Sequence, residues 1–280
     1  MSAIKKYFKE QCQVRMCGLE HANPSEFYLS VWQTNRSATP LFVLRLILFL
    51  GSLAIVLASS ILYIQSGIYG FWFIYLTHWG LTANVAATGF AALVSARSFF
   101  YGPTRTKHQL PWYVMTYWIL YNIAAPVAFL ITLFYWTVLF EAGVEEELNY
   151  GLDVAVHGLN SVVMFVLVVT SAQPTRLLHM YHPLGFSLVF FLFTLFYYLA
   201  GGVDVKQNPF VYSVLDWRHA GTTVGVGVLT GFLLVFLYLV TMLLSLGRDA
   251  IAKKFVKPSV YVNEELPLRQ PTAEQTQTGV

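Results

Sequence analysis

Long apolar runs, separated by short polar connections, fill most of the chain. Several runs exceed the roughly 20 residues that an α-helix needs to cross the hydrocarbon core of a membrane. The runs are continuous and do not alternate with a period of two, which favours helices over a transmembrane β-barrel. The pattern predicts six spans, at Leu41–Ile64, Phe71–Ala96, Trp112–Phe140, Leu152–Val169, Pro183–Ala200 and His219–Leu246.

Composition supports an all-α membrane protein built as a bundle of about six transmembrane helices. Of the 280 residues, 56% are hydrophobic and only 11% are charged, whereas a soluble domain carries roughly 25% charged residues. Three regions follow from the pattern: a polar N-terminal segment (1–40), a transmembrane domain (41–246) and a polar tail (247–280) that we expect to be disordered. The sequence specifies no oligomeric state.

The distribution of basic residues predicts the orientation. Almost all of the 17 lysines and arginines lie in the N-terminal segment, the second and fourth connections and the tail. The outer connections hold only Lys206 and Arg218. Both termini are therefore expected in the cytosol, with the N-terminal segment and tail as cytosolic regions. Arg45 lies just inside the first predicted span, and we expect its side chain to snorkel back to the basic side. The net charge of +3 is too small to indicate a nucleic-acid partner.

Polar residues within two predicted spans are the candidates for function, because unpaired polar groups are costly in hydrocarbon. Asp153, His157 and Asn160 follow helical spacing and form one stripe on the fourth span. The second span carries Thr77 and His78. Both spans run inward from the outer face, and Thr77 and His157 are predicted at about 9 Å and about 8 Å of depth, at ~1.5 Å per residue. The two side chains could therefore lie at one level.

Four interpretations of these polar residues stay open. Thr77 and His157 could act as nucleophile and base, with Asp153 or Asn160 orienting the imidazole. His78 and His157 could ligate a haem, or the stripe could line a path for protons or solutes. Alternatively, the groups only hydrogen-bond to neighbouring helices. We predict no cofactor and no metal site.

Two further segments carry predictions. The outer connection Ala200–Trp217 has turn-forming glycines and several aromatic residues, and we expect it to pack over the mouth of the bundle as a lid. The chain ends in Thr278-Gly279-Val280, a pattern that PDZ domains bind by β-strand addition. The predicted partners are membrane lipids and a PDZ-domain protein at this C-terminus.

The order of several motifs resembles the rolling stone proteins of animals. These motifs are Tyr75-Leu-Thr-His-Trp-Gly80, Phe134-Tyr-Trp136, His157-Gly-Leu-Asn-Ser161, Pro174-x-Arg176-x-x-His179, Gly201-Gly202 and Val211-Tyr-Ser-Val-Leu-Asp-Trp217. The resemblance extends from about Glu26 to Leu246. It implies a multipass protein of the plasma membrane, with an endomembrane as the alternative, and a link to myoblast fusion. The chain lacks a large ectodomain, so a supporting role in fusion or membrane-lipid biology is expected rather than direct merging of bilayers.

A more distant similarity connects the chain to the androgen-induced membrane hydrolases, which cleave fatty acid esters of hydroxy fatty acids. Their intramembrane threonine follows an aromatic-Leu pair, as Thr77 follows Tyr75-Leu76 here, and their histidine opens a later span, as His157 does. That family has Asn and a further His before this histidine, where the present chain has Asp153-Val-Ala-Val156. The similarity implies an intramembrane hydrolase in which Thr77 and His157 act, supported by Asp153 and Asn160.

Overall fold

The computed structural model describes residues 3–104, 109–140 and 149–256. It confirms six helices that are long and apolar enough to cross a membrane. We number these spans in chain order: Thr39–Gln65, Leu76–Tyr101, Trp112–Leu139, Tyr150–Thr170, Leu177–Leu199 and Trp217–Phe255. In the described ranges, the only β-type pairing is an isolated bridge between Ser30 and Ser171. The predicted all-α bundle is therefore confirmed, whereas its orientation in a membrane stays a prediction.

Several helix boundaries differ from the predicted ones, and two of these differences matter most. The second span begins at Leu76 instead of Phe71, because a separate helical turn at Tyr69–Trp72 precedes it. The sixth helix continues to Phe255, nine residues beyond the predicted end at Leu246. The start of the predicted tail at residue 247 is therefore wrong, since residues 247–255 are helical. The C-terminal Thr278-Gly279-Val280 lies outside the described residues.

The second and third spans form the centre of the bundle, where small side chains face large ones. Ala87 and Ala91 of the second span are fully buried, in one apolar cluster with the fully buried Tyr117, Trp118 and Tyr121 of the third span. Small residues let helix backbones approach closely in a membrane, where the hydrophobic effect does not drive helix association. This packing fixes the second and third helices, which carry Thr77 and Tyr135 of the candidate site described below.

The N-terminal segment packs against one end of the bundle, which we call the basic end. Arg176 donates a hydrogen bond of 2.6 Å to the carbonyl of Gly18 and another to the carbonyl of Glu20. Phe27 is fully buried and its ring lies 5.1 Å from that of Trp118, at a steep angle. The segment is thus an integral part of the folded protein.

Arg45 does not snorkel to the surface. Its side chain is fully buried, and its guanidinium donates to acceptors from four parts of the chain. These acceptors are the carbonyls of Phe27 and Ala91 and the hydroxyls of Ser95, Tyr117 and Ser171. The prediction was wrong because the docked N-terminal segment and the neighbouring helices supply enough acceptors to hold the group inside.

The connection between the fifth and sixth spans covers the other end of the bundle, which we call the lid end. The Tyr212 hydroxyl accepts a hydrogen bond of 2.9 Å from the backbone N–H of Leu76. This bond satisfies one of the free N–H groups in the first turn of the second span. Asp204 accepts from the backbone N–H of Asn208 at 2.7 Å. The predicted packing of this connection over the bundle is confirmed.

Candidate functional site

A buried carboxylate and imidazole lie at the lid end of the fourth span. Asp153 and His157 are one helical turn apart, and Asp153 Oδ1 is 2.9 Å from His157 Nδ1. Both residues are buried, and His157 is fully so. The contact places the Nδ1 hydrogen toward Asp153, so that Nε2 is the nitrogen that can accept a proton. Asp153, rather than Asn160, therefore orients the ring.

Tyr135 of the third span completes this group. Its ring stacks on the His157 imidazole with centroids 3.5 Å apart and planes 5° from parallel. Its hydroxyl donates to the Asp153 carboxylate, at 2.7 Å from Oδ1 and 2.8 Å from Oδ2. Hydrogen bonds to a charged acceptor contribute about 1.5–3 kcal/mol each. The three side chains thus hold each other in one orientation inside the bundle.

Both stacked residues lie in π-helical turns. The third span changes from α-helix to a π-turn at Tyr135–Leu139, and the fourth contains one at Ala155–Leu159. Such a turn widens the helix and interrupts the regular bonding of carbonyl groups, and it occurs frequently at functional sites. Here the Thr132 hydroxyl donates to the His157 carbonyl at 2.5 Å. This bond joins the two spans beside the stacked rings.

The second and fourth spans are in contact, as the candidate site requires. The Asn84 side-chain amide donates to the side-chain oxygen of Asn160 and, at 3.2 Å, to its carbonyl. Asn160 is thereby engaged with the second span and not with His157. Both helices run in the same direction, so this contact sets their register. Thr77 lies seven residues before Asn84, and Asp153 lies seven residues before Asn160. Thr77 and Asp153 are therefore at about the same level along the two helices.

The expectation that Thr77 and His157 share one level is therefore corrected. His157 precedes Asn160 by three residues and Thr77 precedes Asn84 by seven, a difference of about 6 Å along the axis at ~1.5 Å per residue. The error came from the start of the second helix, where Thr77 is the second residue and not the seventh. No hydrogen bond joins Thr77 to His157 in the described part of the chain.

Thr77 lies on the wall of a cavity of about 400 Å³. Tyr135 is a second wall residue, so the imidazole of His157 lies behind the cavity wall, against the Tyr135 ring. The remaining wall is mostly apolar and comes from the third, fifth and sixth spans and the lid connection. It includes Leu130, Ile131, Phe134, Leu184, Phe190, Phe191, Tyr212, Val214, Leu215 and Val226, with polar atoms from Ser187 and Thr230.

The cavity reaches the outer surface between the fifth and sixth spans. Leu188, Val224 and Val228 belong to its wall, yet each is 47% to 56% exposed on the outside of the bundle. Gly231 and Gly227 form part of the sixth-span wall. A Cβ atom at Gly227 would lie 2.6 Å from the Phe191 ring, so the two helices approach closely there. Above and below this close approach, the wall of the cavity consists of side chains that also face the outside of the bundle.

The structure does not bring His78 and His157 together. His78 faces the first span, where Nε2 lies 3.3 Å from the Ser59 hydroxyl, and its Nδ1 lies 2.7 Å from the Trp72 carbonyl. Its ring stacks on that of Trp72 at 4.5 Å. His157, in contrast, contacts Tyr135 of the third span. Because both His78 nitrogens are already engaged, the residues at this position do not fit paired ligation of a haem.

Tyr135 was not among the residues predicted for the site. In an apolar helix rich in aromatic residues, a tyrosine is easily interpreted as one of the interfacial aromatic side chains. Two signals pointed to it. A tyrosine hydroxyl inside a membrane requires a polar partner, and Tyr135 belongs to the Phe134-Tyr-Trp136 motif noted above.

Comparison with known proteins identifies the family. A family model described as "Protein rolling stone" matches residues 2–259. The curated protein "Protein rolling stone" of Drosophila melanogaster is 30% identical over 250 residues, which cover 85% of this chain and 88% of that protein. No solved structure matches the chain. The matched range covers all six spans, and the chain therefore belongs to the rolling stone family.

Proposed function

We propose that the protein binds the acyl chain of a membrane lipid in the cavity beside Thr77, and that this binding supports cell–cell fusion at the plasma membrane. The carrying observation is the apolar cavity of about 400 Å³ that opens sideways between the fifth and sixth spans. Binding pockets for small molecules typically have about 300–1,000 Å³. The wall contains few polar atoms, which suits a hydrocarbon chain better than a polar solute.

The orientation of the protein determines which lipid would enter. The basic residues gather at the basic end, which we place in the cytosol together with both termini. The cavity and the lid connection then lie in the outer leaflet. A lipid of that leaflet could insert a chain between the fifth and sixth spans while its polar head stays near Thr77 and the lid.

Filling the cavity tests this proposal. A Cβ atom at Gly231 would have no heavy atom within 4 Å, so Gly231→Phe places a ring toward the cavity without a backbone clash. Gly221 has equally open surroundings but is not part of the cavity wall, so Gly221→Phe is the matched control. We expect lipid extracted from purified Gly231→Phe to lose a species that wild type and Gly221→Phe retain. Identical lipid contents in all three would contradict the proposal.

A second proposal is that the same cavity hydrolyses ester lipids. It is supported by the contact of 2.9 Å between Asp153 and His157, which orients the imidazole as a base, and by the place of Thr77 on the cavity wall. Thr77 Oγ1 would attack the ester carbonyl while Nε2 of His157 takes its proton. The alcohol leaves with that proton, and water then cleaves the acyl–Thr77 ester. This reaction requires the Tyr135 ring to move aside and Thr77 to approach His157 across their axial offset of about 6 Å at ~1.5 Å per residue.

A hydrolase and a lipid-binding protein would respond differently to the replacement of Thr77 or His157. Hydrolysis of a panel of ester lipids by membranes with the wild-type chain should disappear in Thr77→Ala and in His157→Ala if the chain is an enzyme. No activity above that of empty membranes, with correctly folded protein, would eliminate hydrolysis and leave lipid binding. A third role, recruitment of a PDZ-domain protein, predicts that fusion support survives Thr77→Ala but fails when residues 278–280 are deleted.

A further inference from the structure

The wall of the cavity beside Thr77 is uncharged. Aspartate, glutamate, lysine, arginine and histidine are all absent from the described residues that line it. A carboxylate lies just behind the wall, because Asp153 accepts a hydrogen bond of 2.7 Å from the hydroxyl of Tyr135, which is a wall residue. A negative charge inside the cavity would therefore lack a counter-charge and be repelled by Asp153. The cavity disfavours an anionic group.

Hydroxyl groups supply the polar part of this wall. Three of them belong to Thr77 of the second span, Ser187 of the fifth and Thr230 of the sixth. The phenol hydroxyls of Tyr135 and Tyr212 belong to the wall as well, but they already bond within the protein. A hydroxyl donates to an uncharged oxygen such as a carbonyl without requiring a charge on either partner. The wall thus suits a neutral polar group inside an apolar molecule.

Thr77 and Ser187 lie at similar depths in the bundle. The Trp79 ring lies 6.2 Å from that of Phe186 and 5.3 Å from that of Phe190. Ser187 is between these two phenylalanines in the chain, so it is near the level of Trp79. Thr77 precedes Trp79 by two residues, which is about 3 Å along the axis at ~1.5 Å per residue. The second and fifth spans therefore bring the two hydroxyl side chains to the same part of the cavity.

Thr230 lies at the level of Ser187 on the neighbouring helix. The fifth and sixth spans run in opposite directions, and Phe191 meets Gly227 where they approach closely. Ser187 lies one turn before Phe191, and Thr230 lies about one turn after Gly227, so both are displaced toward the basic end by a similar distance. Thr77, Ser187 and Thr230 thus form a polar band at one depth of an otherwise apolar cavity.

The Ser187 hydroxyl lacks a bond that other hydroxyls of the spans make. Serine and threonine within a helix can donate to the carbonyl one turn earlier, as Ser52 does to Leu48 at 2.9 Å and Thr170 does to Val166 at 2.6 Å. The Ser187 oxygen is buried and has no hydrogen-bond partner among the residues that the structure describes. A buried hydroxyl without a partner is unfavourable, and an oxygen of a ligand in the cavity would supply one.

We propose that the cavity binds an esterified acyl chain in preference to a free fatty acid, and that Ser187 donates a hydrogen bond to the ester carbonyl. This inference rests on the proposed binding of a lipid chain and names the chemical class of that lipid. The ester carbonyl is an uncharged acceptor that matches the polar band, whereas a carboxylate would be a buried charge without a partner. In the proposed hydrolysis, the same bond would stabilise the carbonyl oxygen as it gains negative charge.

Competition against a photoreactive ester tests this inference. The purified chain in detergent, at about pH 9 so that carboxyl groups are ionised, is labelled with a methyl palmitate that carries a diazirine near the chain end. Mass spectrometry measures the labelling of Thr77 and Tyr135. The competitors are unlabelled methyl palmitate, palmitate and hexadecane. We expect methyl palmitate to compete about tenfold more strongly than palmitate and about fivefold more strongly than hexadecane.

One substitution assigns the hydrogen bond. Ser187→Ala should lose most of the advantage of methyl palmitate over hexadecane, because the donor to the carbonyl is gone while the apolar wall remains. Ser52→Ala is the matched control, since Ser52 bonds to its own helix and is not a wall residue of the cavity. This control should keep the wild-type ranking of the three competitors.

Two results would overturn the inference and leave lipid binding intact. One is competition by palmitate that equals that of methyl palmitate in the wild type. The other is a Ser187→Ala variant that keeps the full advantage of the ester over hexadecane. A failure of the proposed lipid binding looks different, because the probe would then label neither Thr77 nor Tyr135, and Gly231→Phe would leave the labelling unchanged. That outcome would refute both proposals.

Discussion

The phenol ring of Tyr135 lies face to face with the His157 imidazole at a centroid distance of 3.5 Å, and both side chains contact the Asp153 carboxylate. The pair connects the third and fourth spans at the depth of the cavity beside Thr77. Tyr135 therefore stabilises the Asp153–His157 pair and also contributes to the wall of the cavity. If the cavity binds a lipid chain as proposed, that binding and the position of His157 are coupled through Tyr135.

Removing the Tyr135 hydroxyl should destabilise the protein without emptying the core. Tyr135→Phe keeps the stacked ring but removes the donor to the Asp153 carboxylate, which we expect to lower stability by about 1.5–3 kcal/mol. Thermal unfolding in detergent measures this as a lower Tm. Tyr150→Phe is the control, because Tyr150 is near Asp153 in the chain but 73% exposed. Equal Tm values for the two variants would contradict the assigned hydrogen bond.

Substitution of Arg45 tests whether its guanidinium is buried or reaches the surface. Arg45→Lys keeps the charge but cannot supply the planar set of donors that reaches Phe27, Tyr117 and Ser171. We expect a loss of about 3–5 kcal/mol, the range for breaking a buried charged interaction, seen as poor expression and a much lower Tm. Arg97→Lys, at an exposed arginine of the same end of the bundle, should have little effect. An unchanged Tm of Arg45→Lys would indicate instead that the Arg45 side chain reaches the surface.

A double-mutant cycle tests the contact of the second and fourth spans. Asn84→Ala and Asn160→Ala remove the two partners of the interhelical amide contact. Their combined effect on the free energy of unfolding should differ from the sum of the single effects by about 0.6–1.7 kcal/mol, as measured for polar pairs in membrane helices. Asn84→Ala with Asn122→Ala should be additive, since Asn122 contacts His179 instead. Additivity in both cycles would refute the register that places Thr77 level with Asp153.

The apolar pattern predicted the number of spans because the length of a membrane helix is dictated by the bilayer. Helical spacing placed Asp153 and Asn160 on the same face as His157, and the structure shows that Asp153 is the residue that contacts the imidazole. The burial of Arg45 could not be predicted, because its acceptors lie as far as 126 positions away in the chain. The place of Thr77 was missed for a local reason, since the turn at Tyr69–Trp72 is as apolar as the helix that follows.

Photo-crosslinking shows whether a lipid chain enters the cavity. A phospholipid with a diazirine near the end of its acyl chain is incorporated into vesicles with the purified protein, and labelled residues are identified by mass spectrometry. Thr77 and Tyr135 are 3% and 1% exposed, so lipid outside the bundle cannot reach them. We predict labelling at these two residues in the wild type and in Gly221→Phe, and its loss in Gly231→Phe. Labelling restricted to the outer surface of the helices in all three proteins would show that no lipid chain enters the cavity.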